Sequence, residues 1–292
     1  MYERAKYKEG TWDNIKDPIS ARKYDGAHFF LSFNNKGVPS FISRRQSVRG
    51  DYPDRTEKLP HLASVLLPEY ANTIHSIELI HTGFNSSKDA DESHAAVSGI
   101  LNSLPPRAIE TQNLTGPIRA VLLDTITPKL PTFDAKIEYL QDLEKAFNKP
   151  ELVFTPEYHE GREATENLIK STRDNNHEGV IVLSKTLPEE SNTRIKVKHF
   201  NTYNLLVTGV TQEVDKNGQL KNSAGALIVS DGSRKEVANV GTGLSHELRR
   251  EIWDNKRAWL GKLIQVKAMD STARRLRSPV YNGIADGDLD TI

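Results

Sequence analysis

The stretch 22–33, Arg-Lys-Tyr-Asp-Gly-Ala-His-Phe-Phe-Leu-Ser-Phe, places a lysine beside a strong strand pattern. Apolar residues alternate from Phe29 to Phe33, which is the period of a strand with one buried face. Asp25-Gly26, just before this alternation, is typical of a tight turn. The pattern therefore predicts a hairpin over residues 22–33, with Lys23 at the end of its first strand.

Outward from this hairpin, helical and strand patterns alternate up to about residue 200. The patterns predict strands over 76–80, 118–126, 179–183 and 194–198, and helices over 91–101, 134–147 and 162–172. This mixture predicts an α+β domain with antiparallel sheets over residues 1–200. Beyond it, short strands separated by Gly- and Asn-containing turns, with one helix over 245–253, predict a small all-β barrel over residues 201–292, with an OB-fold as the first choice.

Composition excludes several classes of protein. The 292 residues contain no cysteine, which excludes disulfides, thiolate-bound zinc, iron–sulfur clusters and a cysteine nucleophile. The 39 Lys and Arg balance 39 Asp and Glu, which argues against a protein that coats nucleic acid through bulk positive charge. No stretch approaches the roughly 20 apolar residues of a spanning helix, and the first residues lack the apolar core of a secretory signal. We expect a soluble, cytoplasmic protein without membrane contact.

Charged residues on otherwise apolar strands indicate a site. Glu78 and Glu178 lie in or beside apolar strand patterns, while the basic residues Arg194, Lys196 and Lys198 share one face of a strand. Such charges are costly unless they face a cleft or pair with one another. A lysine such as Lys23 acts as a nucleophile when desolvation or neighbouring cations lower its pKa. A lysine nucleophile, two acids and two further lysines together suit nucleotidyl transfer.

The order of these motifs resembles the covalent nucleotidyltransferase superfamily of ATP-dependent DNA ligases, RNA ligases and mRNA-capping guanylyltransferases. The matching motifs are Lys23-Tyr24-Asp25-Gly26, Ser43-Arg44, Glu78, Glu178-Gly179 and Lys196-Val197-Lys198. The segment Val240–Leu244 with the charged helix after it resembles the DNA-ligase branch, of the minimal type. The resemblance implies an ATP-grasp-like nucleotidyltransferase (adenylation) domain over 1–200, followed by an OB-fold domain over 201–292.

The resemblance also implies a reaction and roles for residues. AMP from ATP would join Lys23, pass to the 5′-phosphate of a DNA nick, and leave when the 3′-hydroxyl attacks. By the same resemblance, Arg44, Glu78, Lys196 and Lys198 would bind the nucleotide, and Glu178 with Glu78 would bind Mg²⁺, or Mn²⁺ in its place. The expected partner is nicked duplex DNA, bound by a monomer. Candidate DNA-binding residues in the basic clusters are Arg45, Arg49, Arg274, Arg275 and Arg277.

The sequence departs from the family pattern in three places. His28 stands where the family has arginine, Leu122 and Leu123 lie where an aromatic residue stacks on adenine, and 284–288 lacks the basic residues of a C-terminal motif. An imidazole does not reproduce a bidentate guanidinium, so the contact to phosphate would be weaker. His75, His81 and His94 lack the spacing of metal ligands, so we expect surface or hydrogen-bonded histidines there.

Two alternatives remain open at this point. The first is an RNA ligase or a guanylyltransferase, which shares the motifs but not the resemblance in the C-terminal part. The second is a non-catalytic nucleic-acid-binding relative, which His28 and the missing terminal basic residues favour. The presence of Lys23, Glu178, Lys196 and Lys198 argues against that second alternative.

Overall fold

A computed structural model describes residues 8–47, 49–81, 94–175, 177–186, 194–233, 235–269 and 275–290. The chain divides into two compact units, Met1–Lys198 and His199–Ile292, which we call unit 1 and unit 2. Among the described residues, no helix combines the length and the apolar composition that crossing a membrane requires.

Unit 1 mixes strands with helices. In the described residues its strands are β1 (Lys8–Glu9), β2 (Pro18–Lys23), β3 (Ala27–Phe33), β4 (Pro39–Ser43), β5 (Ile74–Ile80), β6 (Arg119–Thr127), β7 (Val153–Phe154), β8 (Tyr158–Glu160), β9 (Gly179–Ser184) and β10 (Arg194–Lys198). Its helices are α1 (Pro60–Ala63), α2 (His94–Asn102), α3 (Pro105–Thr115), α4 (Phe133–Phe147) and α5 (Arg162–Asp174), with 3₁₀ helices at Thr56–Lys58 and Pro68–Tyr70. Residues 91–93 of the predicted helix 91–101 lie outside the described residues.

The strands of unit 1 form two sheets. The first has the order β1-β10-β9-β2-β8 and the second the order β4-β3-β5-β6-β7. Each contains one parallel pair at an edge, β1 with β10 and β6 with β7, and is otherwise antiparallel. The prediction of an α+β fold built on antiparallel sheets is therefore confirmed.

The hairpin predicted over residues 22–33 is wrong, because its two strands belong to different sheets. β2 pairs with β8 and β9, whereas β3 pairs with β4 and β5. The turn at Gly26 passes so close to β5 that a Cβ there would overlap the Leu79 carbonyl oxygen. Alternation on β3 identified its buried face correctly, but alternation does not specify which strand pairs with it.

Helices cover the outer face of each sheet and leave the inner faces for a cavity. Leu140, Leu143 and Phe147 of α4 pack into the core of the second sheet. Leu168 and Ile169 of α5 pack against Val180 and Val182 of the first sheet, together with Trp12 and Ile15. Residues from the inner faces of both sheets line a cavity within unit 1, which is described below.

Unit 2 is built on one antiparallel sheet. Its described strands are β11 (Asn201–Val214), β12 (Leu220–Ser230), β13 (Glu236–Val240), β14 (Leu263–Met269) and β15 (Arg277–Ile284), in the order β13-β12-β11-β14-β15. An isolated parallel bridge from Thr242 to Val280 brings the chain after β13 beside β15. Helices α6 (His246–Asp254) and α7 (Lys256–Trp259) lie between β13 and β14 in sequence. The Arg249 guanidinium on α6 donates to the carbonyl oxygens of Ala224, Gly225 and Gly241, which attaches the helix to the sheet.

Candidate functional site

A cavity of about 740 Å³ lies in unit 1, a size that suits a small-molecule ligand. Its walls come from both sheets, from α2 and from the beginning of α4. The residues predicted from sequence that line it are Lys23, Arg44, Arg45, Glu78, Glu178, Lys196 and Lys198. The structure thus brings together side chains that are up to 175 positions apart in sequence, from Lys23 to Lys198.

Glu178 lies between two lysines of the cavity. Its carboxylate forms an ion pair with Lys23 Nζ, and its Oε1 is 3.9 Å from Lys198 Nζ. The side chain of Glu178 is 6% exposed, whereas those of Lys23 and Lys198 are 20% and 18% exposed. A buried carboxylate is stable only when it is paired, and here it has two cationic neighbours. The lysines keep some contact with the cavity, where they are available to an anionic ligand.

Gly179 explains why these three side chains meet. In the sheet it is in register with Lys23 of β2 on one side and with Lys198 of β10 on the other. Its φ of +149° is accessible mainly to glycine, and a Cβ there would overlap the carbonyl oxygen of Val197. The absence of a side chain therefore lets β10 approach closely and places Glu178 beside both lysines.

Glu78 enters the cavity from the second sheet, where it pairs with His28 of β3. Burial raises the pKa of its carboxyl group to about 8, and the negative charges of Glu178 and Asp25 act in the same direction. Lys23 opposes this rise, as does a backbone hydrogen bond from Gly26. The charges of Lys23, Asp25 and Glu178 thus all act on the Glu78 carboxyl group.

Arg194 is buried instead of lying on a basic face with the two lysines of β10. Its Nη1 lies 3.2 Å from Asp124 Oδ2, and Lys136 Nζ lies 2.8 Å from Asp124 Oδ1. All three side chains are nearly inaccessible to solvent. This network connects β10 of the first sheet with β6 of the second and with α4. Arg194 therefore supports the walls of the cavity, while Lys196 and Lys198 line it.

Helix α2 contributes a polar stripe to the cavity that the sequence analysis missed. His94, Ser98 and Asn102 have the spacing i, i+4, i+8 of one helix face, and all three line the cavity. This spacing can be read from the sequence, so it could have predicted a polar helix face here. His94 is hydrogen-bonded, as expected, but its partner is Gly26 of the Lys23 turn. Arg55, also not predicted, lies in the cavity lining.

The apolar part of the cavity contains two aromatic rings that were not predicted. Phe133 of α4 and Tyr158 of β8 meet edge to face, with ring centroids 5.7 Å apart, and both line the cavity. Leu123 lies in the lining too, whereas Leu122 is buried in the core. His28 also lines the cavity, and its Nε2 is 2.8 Å from Ser76 Oγ.

The candidate DNA-binding arginines belong to both units of the chain. Arg45 is exposed at the cavity, and Arg49 is exposed outside the cavity lining. Arg275 Nη2 forms an ion pair with Glu236 Oε1 at 2.8 Å, and Arg277 begins β15. Arg274 lies outside the described residues. Within unit 1, Arg44 and Arg45 thus line the cavity together with the other candidate residues.

Comparison with known proteins identifies the fold. No family model matches the sequence, and no curated protein matches it. A structure from a study of Lig E DNA ligases, "DNA binding with a minimal scaffold", aligns with a TM-score of 0.68 at 16% identity over 98% of this chain and 100% of that one. Pmar-Lig_PreS3 gives 0.68 at 17% identity, over 92% of this chain and 64% of that one. Mycobacterial DNA ligase D aligns with a TM-score of 0.50 at 17% identity, over 97% of this chain and 95% of that one. This chain therefore shares the fold of DNA ligases that have a minimal scaffold.

Proposed function

We propose that the chain is an ATP-dependent DNA ligase that seals nicks in duplex DNA through a covalent lysyl-AMP intermediate. The observation that carries the proposal is the cluster of Lys23, Glu178 and Lys198 inside a ligand-sized cavity. The fold shared with DNA ligases supports it, and so does the mycobacterial ligase D structure, which was determined in complex with ATP.

In the first step, the neutral amine of Lys23 attacks the α-phosphate of ATP. A bond forms between Nζ and the α-phosphorus, the bond from that phosphorus to the bridging oxygen breaks, and pyrophosphate leaves. Lys196 and Lys198 supply positive charge to the phosphate oxygens, because both line the cavity beside Lys23. Positioning and charge neutralisation are the main requirements of such a transfer.

In the second step the 5′-phosphate at the nick attacks the α-phosphorus, and AMP leaves Lys23 for the DNA. The 3′-hydroxyl then attacks the DNA phosphate and releases AMP. Arg44 is the candidate for a contact to phosphate in these steps, since it lines the cavity and is half-buried. Glu78 is the candidate for binding the ribose, to which a protonated carboxyl can donate and an ionised one can accept.

The residues fit a magnesium ion. The described residues contain no group of three or more potential ligands that could hold a metal by protein contacts alone. Mg²⁺ usually needs only one or two carboxylates, with water and phosphate oxygens as the other ligands. Burial raises the pKa of the Glu78 carboxyl group to about 8, and a cation bound beside it would favour the ionised form that can act as a ligand. When bound, the ion would neutralise phosphate charge.

For the domain organisation, we propose an adenylation domain over about 1–200 and an OB-fold domain over 201–292. The long strand β11 pairs with both β12 and β14, and the bridge from Thr242 to Val280 brings β13 and β15 together. This connectivity is expected of a five-stranded, partly open barrel of the OB type. We further propose a monomer that binds nicked duplex DNA, which light scattering of the free protein and its DNA complex would test.

A labelled-ATP experiment tests the proposal. The protein with Mg²⁺ and ATP labelled at the α-phosphate should form a covalent adduct that Lys23→Ala abolishes and Lys170→Ala, at an exposed position on α5, does not. Added nicked DNA should consume the adduct and become sealed. Absence of both the adduct and the sealing of a pre-adenylylated nick would contradict the proposal and favour a non-catalytic nucleic-acid-binding protein.

Substrate preference distinguishes the proposed DNA ligase from an RNA ligase and from a guanylyltransferase. An adduct formed with GTP in preference to ATP would indicate a guanylyltransferase. Preferential sealing of nicks between RNA strands would indicate an RNA ligase. We expect ATP and DNA to be preferred, because the aligned structures named as ligases are DNA ligases.

A further inference from the structure

We propose that His94 is a positioning residue for Lys23: through its hydrogen bond to Gly26, it fixes the turn that holds the nucleophile. This inference rests on the proposed function. His94 begins α2 and lines the cavity, and its Nδ1 lies 2.6 Å from the Gly26 carbonyl oxygen. Gly26 follows Lys23 by three residues, at the end of the turn between β2 and β3.

The hydrogen bonds define the protonation of the ring. The Gly26 carbonyl oxygen can only accept, so Nδ1 of His94 must carry the proton. The other ring nitrogen, Nε2, is 3.3 Å from Ser98 Oγ, one helical turn further along α2. The Gly26 carbonyl thus selects the tautomer, and in this neutral ring Nε2 accepts from the Ser98 hydroxyl, which can donate as well as accept.

The turn is held on its other side by β5. A backbone hydrogen bond connects Gly26 with the Glu78 carboxyl group, and the space around the Gly26 Cα is filled by Leu79 and Ile80. Gly26 is thus bound to β5 and to α2 at the same time. Because β2 and β3 belong to different sheets, no hairpin pairing fixes this turn, and these two contacts do so instead.

The helix that carries His94 is itself anchored. At its opposite end the ammonium of Lys58 donates to the carbonyl oxygens of Leu101 and Ser103, at 3.0 and 2.7 Å. Lys58 is buried, and its backbone carbonyl accepts from Gln112 of α3. A helix attached in this way to its surroundings gives His94 a defined position from which to hold the turn.

The test compares two substitutions at one position. His94→Phe keeps an aromatic ring but removes the donor, whereas the side-chain amide of His94→Asn can place a donor near the position of Nδ1. Two rates are measured: single-turnover AMP transfer from ATP to Lys23, and sealing of a nick that already carries AMP. His61→Phe is the matched control, because His61 also bonds a backbone carbonyl, that of Ile118 at 2.7 Å, outside the cavity lining.

We expect His94→Phe to slow AMP transfer by about 10-fold or more, since small misplacements of a reacting group are costly. Sealing of the pre-adenylylated nick should stay near the wild-type rate, because that step does not use Lys23. His94→Asn should recover most of the lost rate, and His61→Phe should behave as wild type. The inference would be overturned if His94→Phe and His94→Asn slowed AMP transfer equally, or if His94→Phe did not slow it at all. It would also be overturned if His94→Phe slowed AMP transfer and nick sealing by the same factor.

A spectroscopic measurement separates this inference from the proposed function. Nitrogen-15 NMR of the histidine rings should show His94 protonated at Nδ1 and not at Nε2 when neutral, with the signal identified by its loss in His94→Phe. Protonation at Nε2 alone would overturn the inference whatever the activity. If the wild-type protein forms no adduct, the proposed function fails, and the role of His94 toward a nucleophile fails with it.

Discussion

Lys23 and Glu178 form an ion pair in the cavity although 155 positions separate them in sequence. The pair depends on the register of β2 with β9, which sets Lys23 beside Gly179. In the proposed reaction, Lys23 must lose its proton before it attacks a phosphate, because a protonated amine has no lone pair. Under the proposed function, this ion pair describes the protein before the attack, and the Glu178 carboxylate orients the amine and lies where it can accept the proton.

Glu178→Gln is expected to reduce lysyl-AMP formation strongly. The amide keeps the shape of the side chain but loses the charge that pairs with Lys23 and Lys198. Loss of one preorganised electrostatic group in an active site lowers rates on the order of 100-fold. The rate of adduct formation from labelled ATP measures the effect, and Glu166→Gln, at an exposed position on α5, is the control. If Glu178→Gln formed the adduct as fast as the Glu166→Gln control, Glu178 would have no role in the proposed reaction.

Gly179→Ala should disrupt the site through the backbone. The added methyl group would overlap the Val197 carbonyl oxygen and force β9 and β10 apart. Gly161→Ala is a matched control, since Gly161 also has positive φ, +89°, but nothing lies within 4 Å of its Cβ position. We expect the first variant to lose most adduct formation and the second to keep it, with only a modest loss of stability. Similar activity in both would show that close strand approach is dispensable.

The sequence predicted the strands that carry the candidate residues better than it predicted the connections between strands. Motif residues such as Glu78 and Lys198 lie on strands whose periodicity was readable, and the predicted strand 194–198 coincides with β10. The hairpin at Lys23 was wrong because a tight turn and a strand pattern look the same whether the next strand pairs locally or joins another sheet. That choice depends on long-range contacts, here the approach of Gly26 to β5.

The position of Arg194 shows a second limit. Alternation along β10 correctly put it on the same face as Lys196 and Lys198, and from this a basic face was predicted. Arg194 is buried, however, and Asp124 from the other sheet accepts its hydrogen bond. No pattern in one segment reveals a partner 70 positions away. The hydrogen bond of His94 to Gly26, 68 positions away, was missed for the same reason.

Asp124→Asn should destabilise unit 1 considerably. It would leave the buried cations Arg194 and Lys136 without their carboxylate. Removing one partner of a buried ion pair costs on the order of 3–5 kcal/mol in the free energy of unfolding. Urea denaturation measures this change. Asp142→Asn, which breaks an exposed pair with Lys145, should leave the free energy of unfolding nearly unchanged. A small effect at Asp124 would mean that the buried cations find other compensation.

His75 should make the protein sensitive to mild acid. Burial lowers the pKa of its imidazole from 6.5 to about 3, and the ring is stacked on Tyr139 and bonded to Thr73. The folded pKa lies below the unfolded value, so between pH 6.5 and 3 the unfolded chain binds a proton that the folded chain does not. Stability from this group is therefore complete above pH 6.5 and is lost as the pH falls through that window.

His75→Gln removes this titration and should flatten the acid limb of the stability curve. The slope attributable to one such group is about 1.4 kcal/mol per pH unit. Between pH 7.5 and 4.5 the free energy of unfolding of the wild type should therefore fall by about 3 kcal/mol more than that of the variant. The comparison uses the change with pH in each protein, because the substitution itself also alters the absolute stability. Urea titrations at each pH measure the slope, with His246→Gln, at an exposed position of α6, as the control. Parallel acid limbs for wild type and His75→Gln would mean that the folded protein accommodates a protonated His75.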